Sequence, residues 1–329
     1  MNVHLTNGTP RYTVANEHSF NNEDVIRMAH WTPDDIPDQS GRTALITGAG
    51  SGIGLETARV LAARGARVIL AGRNQSKLDE AVEVVRAAAP QAETATLLLD
   101  LSDLASVRGA AQRVAETETI DLLFNNAGVM NLPTRQPTRD GFEMTVGTNH
   151  LGHFAFDAQL WPAVRRSAVA RVVTVSAIAA RWPLGKLDDL MSENSYRGMA
   201  AYAKSKRANV VYTLELARRI AHTPVKALVV HPGSAMTSLQ RHGTGVLTRL
   251  FTPLAARVLM GSSAGAAWPS LYAATSPDVT SGEFIGPAGR DQTSGTPTPA
   301  KLPKDAEDAE LGARLWADSE RLTAVTFQP

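Results

Sequence analysis

Tyr202 and Lys206 stand four positions apart in AYAKSKRAN, inside a stretch with helical spacing. Residues at that separation share one face of a helix. An ammonium beside a phenol favours the phenolate and lowers the phenol's pKa. A phenol tuned toward neutrality can pass a proton to or from a carbonyl oxygen. The same pair would also make an ordinary exposed helical couple, so its meaning depends on its surroundings. A second candidate, Ser176, ends the β-branched run RVVTV and is followed by Ala177. It is either a catalytic hydroxyl at the lip of a site or the polar end of a buried strand. Successive strand residues face opposite sides, so Ser176 does not simply stand in for a group at Ala177 unless the strand end bulges.

A third feature is TGAGSGIG, Thr47 to Gly54, which closes one β-rich run and opens a helical one. Gly48, Gly52 and Gly54 let the backbone turn tightly and approach a pyrophosphate, with Ser51 and Ile53 between them. The helix that follows offers unpaired N–H groups and a positive dipole end. The spacing is TGxxxGxG, not GxGxxG, and a glycine-rich turn that binds nothing is the competing reading. The second β-rich run ends VILAGRN. Dinucleotide-binding folds often place a carboxylate there to hold a ribose 2′-hydroxyl. Here Gly72 occupies that position and Arg73 follows. With no carboxylate to repel a 2′-phosphate and a guanidinium to pair with it, NADP(H) is expected over NAD(H). A solvent-facing Arg73 with no ligand is the alternative. Asp100, with Leu101 beside it, follows the third run. Asp100 can accept from an adenine amine or cap the next helix, a role for which Ser102 competes.

These residues need a scaffold, and the chain supplies an alternating one. Apolar, β-rich runs appear at TALIT, RVILA, TATLLL, IDLLF, RVVTV and VKALVV. Helical stretches separate them at Leu55 to Arg64, Lys77 to Ala88, Leu104 to Ala115, Phe142 to Val164 and Ala200 to Ile220. Continuous apolar strands alternating with helices predict a doubly wound, Rossmann-like α/β fold, its mostly parallel sheet covered on both faces. Seven strands are expected, the seventh near Gly282 to Gly286, in a single domain over 31–329. Residues 1–30 form a polar extension, with Met28 a plausible alternative start. Two long links, Arg181 to Gly198 and Ser234 to Gly261, break the rhythm; such loops are usually functional or unstructured. Leu247, Leu250, Phe251 and Leu254 recur at helical spacing, so 234–261 suggests a lid, though such a stripe is more often core. TSGTPTPAKLPKD has the composition of a surface loop, followed by a helix at about 306–322.

The bulk numbers narrow the classes. The chain has 329 residues, 33 Lys plus Arg, 32 Asp plus Glu, a net charge of +1 and no cysteine. That balance makes no electrostatic case for nucleic acid or an anionic membrane. Lacking cysteine, the chain has no disulfides, thiolate catalysis or zinc-thiolate sites, and it fits a reducing, cytoplasmic setting. No apolar run approaches the roughly 20 residues that span a bilayer, so no membrane anchor is expected. His150 and His153 lie three apart, but no nearby Cys or acidic partner completes a metal site.

The ordered set is more specific than any member. Thr47-Gly48 with its glycines, Asp100, NNAG at 125–128, Asn149, Tyr202, Lys206 and HPG at 231–233 each fall at a strand end or on a helix facing it. From about Trp31 to Ser276 the chain resembles the short-chain dehydrogenase/reductase family. TNHLGHF, Thr148 to Phe154, is similar to the branch containing retinol dehydrogenases and WW-domain oxidoreductases. The resemblance implies Tyr202 as general acid/base, Lys206 lowering its pKa and binding the nicotinamide ribose, and Asn149 holding a water. It implies Asn125, Asn126, Ala127 and Gly128 at the sheet centre and adenosine ribose. Pro232, Gly233, Ala235 and Thr237 would then meet the nicotinamide carboxamide and pyrophosphate. It implies reversible carbonyl reduction and a homodimer through the two long helices.

One position departs from the family pattern. The serine that bonds the substrate oxygen falls on Ala177, 25 residues before Tyr202, leaving Ser176 as the nearest hydroxyl. An NADP(H)-dependent oxidoreductase is expected, acting on a lipophilic carbonyl or alcohol among Val129, Met130, Trp182, Leu184, Met199 and Leu239. The alternative is a catalytically weak NADP-binding sensor or interaction protein, suggested by Ala177 alone.

Overall fold

Apolar runs without alternation have two faces to bury, and they form the centre of a sheet. In the computed structural model, Met28 and residues 30–233 and 263–329 are described. Residues 1–27 of the expected extension, the expected lid at 234–261, and Ala235, Thr237 and Leu239 lie outside the described residues. In chain order the framework is β1 (Thr43–Thr47), α1 (Gly52–Ala63), β2 (Arg67–Gly72), α2 (Gln75–Ala88), β3 (Thr94–Leu98), α3 (Leu104–Ala115) and β4 (Leu122–Asn125). Then come α4 (Gly152–Arg165), β5 (Arg171–Val175), α5 (Gly198–Arg219), β6 (Lys226–Val230), α6 (Ser263–Thr275), β7 (Phe284–Pro287), β8 (Pro297–Pro299) and α7 (Ala309–Thr323).

The strand order is β3-β2-β1-β4-β5-β6-β7-β8. Strands β1 to β7 pair in parallel, with Leu45 opposite both Ile69 and Leu123. The eighth strand corrects the expected seven. It pairs antiparallel with β7 and lies inside the expected surface loop. Two of its three residues are proline, which lacks a ladder donor and is tolerated at a sheet edge, so no strand pattern announces it.

Side chains alternate across the sheet. Leu45 joins Val107, Phe154 and Leu160 on one face; Ala44 and Ile46 join Leu61, Val85 and Leu271 on the other. Each of the larger apolar side chains among them, fully buried, stabilises by roughly 1.5–3 kcal/mol. Met28, within the segment expected as extension, is buried in the second layer. Trp31 packs edge-on against Tyr272 at 5.5 Å and Trp268 at 6.2 Å. In the first layer α7 covers α4 and α5. Trp316 stacks on Tyr212 at 5.7 Å and on Phe327 at 4.9 Å, and meets Phe154 edge-on at 5.3 Å. Among the described residues no helix is long and apolar enough to cross a membrane.

Where the order passes from β1 to β4, successive crossovers leave in opposite directions. That reversal opens a crevice at the carboxyl ends of the strands, and the candidate residues stand around it.

Candidate active site

The glycine loop is shaped by close approach. Gly48 has a φ of +68° and Gly52 of +60°, the left-handed region. A Cβ on Gly48 would lie 2.9 Å from Ala127 Cα, and one on Gly54 2.6 Å from Asn126 Nδ2. The loop therefore lies directly on the turn after β4, and any side chain at those positions would intrude. Thr47 joins the two loops. Its Oγ1 accepts the backbone N–H of Asn126 at 2.9 Å and of Ala127 at 3.0 Å, and its carbonyl accepts from Asn126 Nδ2 at 2.7 Å. The α1 N-terminus opens from this loop, with Ile53 buried and Ser51 exposed. This bare backbone beside a helix N-terminus fits a pyrophosphate.

At the end of β2, Arg73 is exposed, and Asn74 next to it caps α2 by accepting from Lys77 N at 3.0 Å. Asp100 does not cap α3. Its Oδ1 accepts from Ser102 N at 2.9 Å and Ser102 Oγ at 2.7 Å in a tight turn. The cap is Asp103, which accepts from Ala105 N and Ser106 N. Leu101 is buried. A Cβ on Gly152 would lie 2.2 Å from its carbonyl oxygen, so that glycine lets the α4 terminus close on the Asp100 loop.

The expected helix from Phe142 to Val164 is interrupted. A short turn, Met144–Val146, leads into a π turn at Gly147–Leu151 before α4 begins. Such bulges re-aim side chains and cluster at functional sites. This one carries Asn149. Its Oδ1 accepts from Val129 N at 2.7 Å, and its Nδ2 donates to Val129 O and Ser205 Oγ, both at 2.9 Å. Ser205, on α5, has no mark in the sequence, because a serine between two lysines carries no periodic signal.

Lys206 is buried and donates from Nζ to Val175 O at 2.8 Å, at the end of β5. A Cβ on Gly128 would stand 3.1 Å from Asn149 Oδ1 and 3.6 Å from Lys206 Nζ, so the glycine of NNAG separates the two groups by a single backbone width. Lys206 Nζ is 5.9 Å from the centre of the Tyr202 ring. Burial pushes the Tyr202 phenol up to about 12 and the Lys206 ammonium down to about 8. The phenol therefore stands above its ordinary value, not below it as expected, because loss of solvent governs both groups.

Ser176 and Ala177 divide as strand geometry requires. The Ser176 hydroxyl donates to the Lys206 carbonyl at 2.7 Å, anchoring α5 to β5. Ala177 packs with Ala203 beside Tyr202. The structure therefore does not bend Ser176 into the place beside the phenol; that place holds a methyl group.

On the far side, Pro232 and Gly233 follow β6. Gly233 has a φ of +74°, and a Cβ there would lie 2.2 Å from Thr293 O. The turn between β7 and β8 thus abuts the site, which its loop-like composition did not reveal. The long link from Arg181 is pinned on both sides. Buried Lys204 donates to Ser192 Oγ at 3.0 Å and to Asp189 O. Tyr196 OH donates to Leu132 O at 3.1 Å and Arg135 Nε to Met191 O at 3.0 Å. Trp182 and Leu184 on this link are exposed. His150 and His153 face other protein groups: His150 Nε2 lies 2.9 Å from Ser319 Oγ, and His153 Nε2 lies 2.9 Å from Thr47 Oγ1.

The chain is similar to known proteins along most of its length. The short chain dehydrogenase family model matches residues 42–244. Retinol dehydrogenase 13 of Homo sapiens is 38% identical over 293 residues, covering 87% of this chain and 85% of the relative. Retinol dehydrogenase 14 of Mus musculus is 38% identical over 306 residues, covering 87% and 86%. A crystal structure of an uncharacterized protein from Mycobacterium paratuberculosis is 40% identical with a TM-score of 0.73, covering 90% of this chain and 98% of that one. An RhlG/NADP active-site complex from Pseudomonas aeruginosa is 25% identical with a TM-score of 0.60, covering 74% and 94%. The chain belongs to the short-chain dehydrogenase/reductase family and is an oxidoreductase working between alcohols and carbonyls.

Proposed function

We propose that the protein is an NADP(H)-dependent oxidoreductase that interconverts a lipophilic carbonyl compound and its alcohol. The observation that carries this reading is the convergence of Asn149 and Lys206 on Gly128, with Tyr202 and Ala177 beside them. Gly48, Ser51, Gly52, Ile53 and Gly54 would cradle the pyrophosphate. Arg73 would pair with the 2′-phosphate and Asp100 and Leu101 would border the adenine. Asn126, Ala127 and Gly128 would line the ribose side, and Pro232 and Gly233 the nicotinamide side. The RhlG complex with NADP agrees with this cofactor.

When bound, NADPH supplies the hydride. Tyr202 holds its proton at neutral pH, since burial pushes the phenol up to about 12; it donates that proton from Oη to the substrate oxygen. Lys206 would bind the nicotinamide ribose. Its ammonium supports the phenolate as that charge develops. Asn149 holds the Val129 backbone and the Ser205 hydroxyl in place around them. Ser176 serves the helix, so substrate orientation falls to Tyr202 and to apolar contacts. Exposed Trp182 and Leu184 and relatives named retinol dehydrogenases support a lipophilic substrate. A homodimer through α4 and α5 would have to include α7, which already covers both.

NADPH-dependent reduction of a panel of lipophilic aldehydes tests the reading. Turnover is expected in the wild type and should fall by on the order of 10²–10⁴ in Tyr202→Phe. NADPH should raise the melting temperature more than NADH does, and Arg73→Glu should erase that preference. Wild-type protein that neither turns over an aldehyde nor responds to either dinucleotide would overturn it.

A further inference from the structure

We propose that His153 is a positioning residue for the cofactor cleft, locking the Thr47 hydroxyl in the orientation that holds the turn after β4. The inference rests on the dinucleotide-binding reading above and adds a residue to it. His153 is buried on the first turn of α4 and touches two features at once. Its Nδ1 lies 3.1 Å from the Asn149 carbonyl oxygen, and its Nε2 lies 2.9 Å from Thr47 Oγ1.

The chemistry of the partners fixes the protons. A carbonyl oxygen only accepts, so Nδ1 carries the hydrogen. A neutral imidazole then has a lone pair at Nε2, and Thr47 must donate to it. Burial holds the ring neutral, pushing its pKa down to about 3. The Thr47 hydroxyl has one hydrogen. Phe124 O, at 3.1 Å, competes for it, but giving it there would set two lone pairs facing each other across 2.9 Å. With the hydrogen committed to His153, the lone pairs of Oγ1 are free for the N–H groups of Asn126 and Ala127.

One imidazole therefore ties the carbonyl of Asn149, in the π turn, to the turn that carries Asn126, Ala127 and Gly128. Both sides matter to the cleft, because Asn149 also brackets Val129 with its side-chain amide. Replacing the ring with an apolar residue leaves the Thr47 hydroxyl free to rotate toward Phe124 O. The two amides lose a fixed acceptor, and the wall of the dinucleotide cleft loses its register.

The test is NADPH binding by isothermal titration to the full chain, in wild type, His153→Leu, Thr47→Val and the double variant. Each single change should weaken binding at least tenfold. The double variant should be no weaker than the worse single variant within twofold, because both cut the same link; multiplicative losses overturn the proposal. Should His153→Leu fail to fold, His153→Gln and His153→Asn give the same decision. Glutamine can extend its amide oxygen to the Thr47 hydroxyl, whereas asparagine reaches only the Asn149 carbonyl. Binding within threefold of wild type is expected for glutamine and a loss of at least tenfold for asparagine; equal affinities for the two overturn the proposal. In turnover, KM for NADPH should rise by a larger factor than kcat falls. Wild-type protein that binds neither NADPH nor NADH overturns the dinucleotide reading itself, whereas wild-type binding with unaltered affinity in His153→Leu or His153→Asn overturns this inference alone.

Discussion

At Ala177 the side chain that would donate a hydrogen bond to a substrate oxygen is a methyl group packed near Tyr202. The adjacent hydroxyl, Ser176, is committed to a helix carbonyl at 2.7 Å. A missing donor to a developing oxyanion costs on the order of 10²–10³ in rate in other enzymes. Ala177→Ser is therefore expected to raise kcat/KM for aldehyde reduction by at least about tenfold, with little change in KM for NADPH. An unchanged or lower kcat/KM in steady-state assays would show that this site orients its substrate without that donor. The strand's twofold alternation made the division between Ser176 and Ala177 legible in advance. The phenol's pKa was not legible, because it depends on how much solvent Tyr202 and Lys206 lose together.

Between elements, contact distance decides. The glycine loop and the turn after β4 touch through backbone, so their glycines are spatial requirements as well as conformational ones. A Cβ at Gly54 would meet Asn126 Nδ2 at 2.6 Å and Gly48 O at 2.7 Å. Gly54→Ala should destabilise the fold by about 1–3 kcal/mol and weaken NADPH binding. Gly109 provides the contrast: it lies within α3, and a Cβ there would meet nothing within 4 Å. Gly109→Ala should stabilise by about 0.5–1 kcal/mol, the ordinary helix preference for alanine. Urea denaturation of both variants checks the pair; equal effects would mean that the loop contact is not what constrains Gly54. The TGxxxGxG spacing made the loop visible in the sequence. The π turn at Gly147–Leu151 was not, because Asn149 meets Val129 and Gly152 meets Leu101 there, contacts between distant segments that no local pattern encodes.

At the scale of the molecule, a buried polar cluster crosses the first layer. Asp157 accepts at Oδ2 from Asn125 Nδ2 and from Tyr212 OH, both at 2.6 Å. Burial pushes its carboxyl up to about 7. A carboxyl with a raised folded pKa contributes stability that is complete below its unfolded value, near 3.8, and lost as pH rises through 7. Relative to Asp157→Asn, wild-type stability should therefore decline from about pH 4 to pH 7 and level off above it. The change is at most about 4 kcal/mol for three pKa units. His150 and His231 are pushed down to about 4 and His153 to about 3. Their contribution has the opposite sign: it is present above about 6.5 and lost as pH falls through the folded values. Denaturation midpoints measured from pH 4 to pH 8 separate the two trends. A difference between wild type and Asp157→Asn that does not vary with pH would contradict a carboxyl titrating in this core.

Local pattern alone determined the alternation of strand and helix, the glycine loop, the absence of thiol chemistry and the ordered polar set from Thr47 to Gly233. Each depends on residue type at short range, through periodicity of two or 3.6 or through backbone freedom at glycine. Tertiary structure decided what required distant segments to meet. It placed Pro297–Pro299 in the sheet, set Thr293 against Gly233, gave the cap of α3 to Asp103, and put the His153 ring between Asn149 and Thr47. Close packing and hydrogen-bond satisfaction are properties of the assembled core. A histidine three positions from another looks the same in the chain whether it holds a metal, a solvent shell or, as here, the hydroxyl of a threonine at the end of β1.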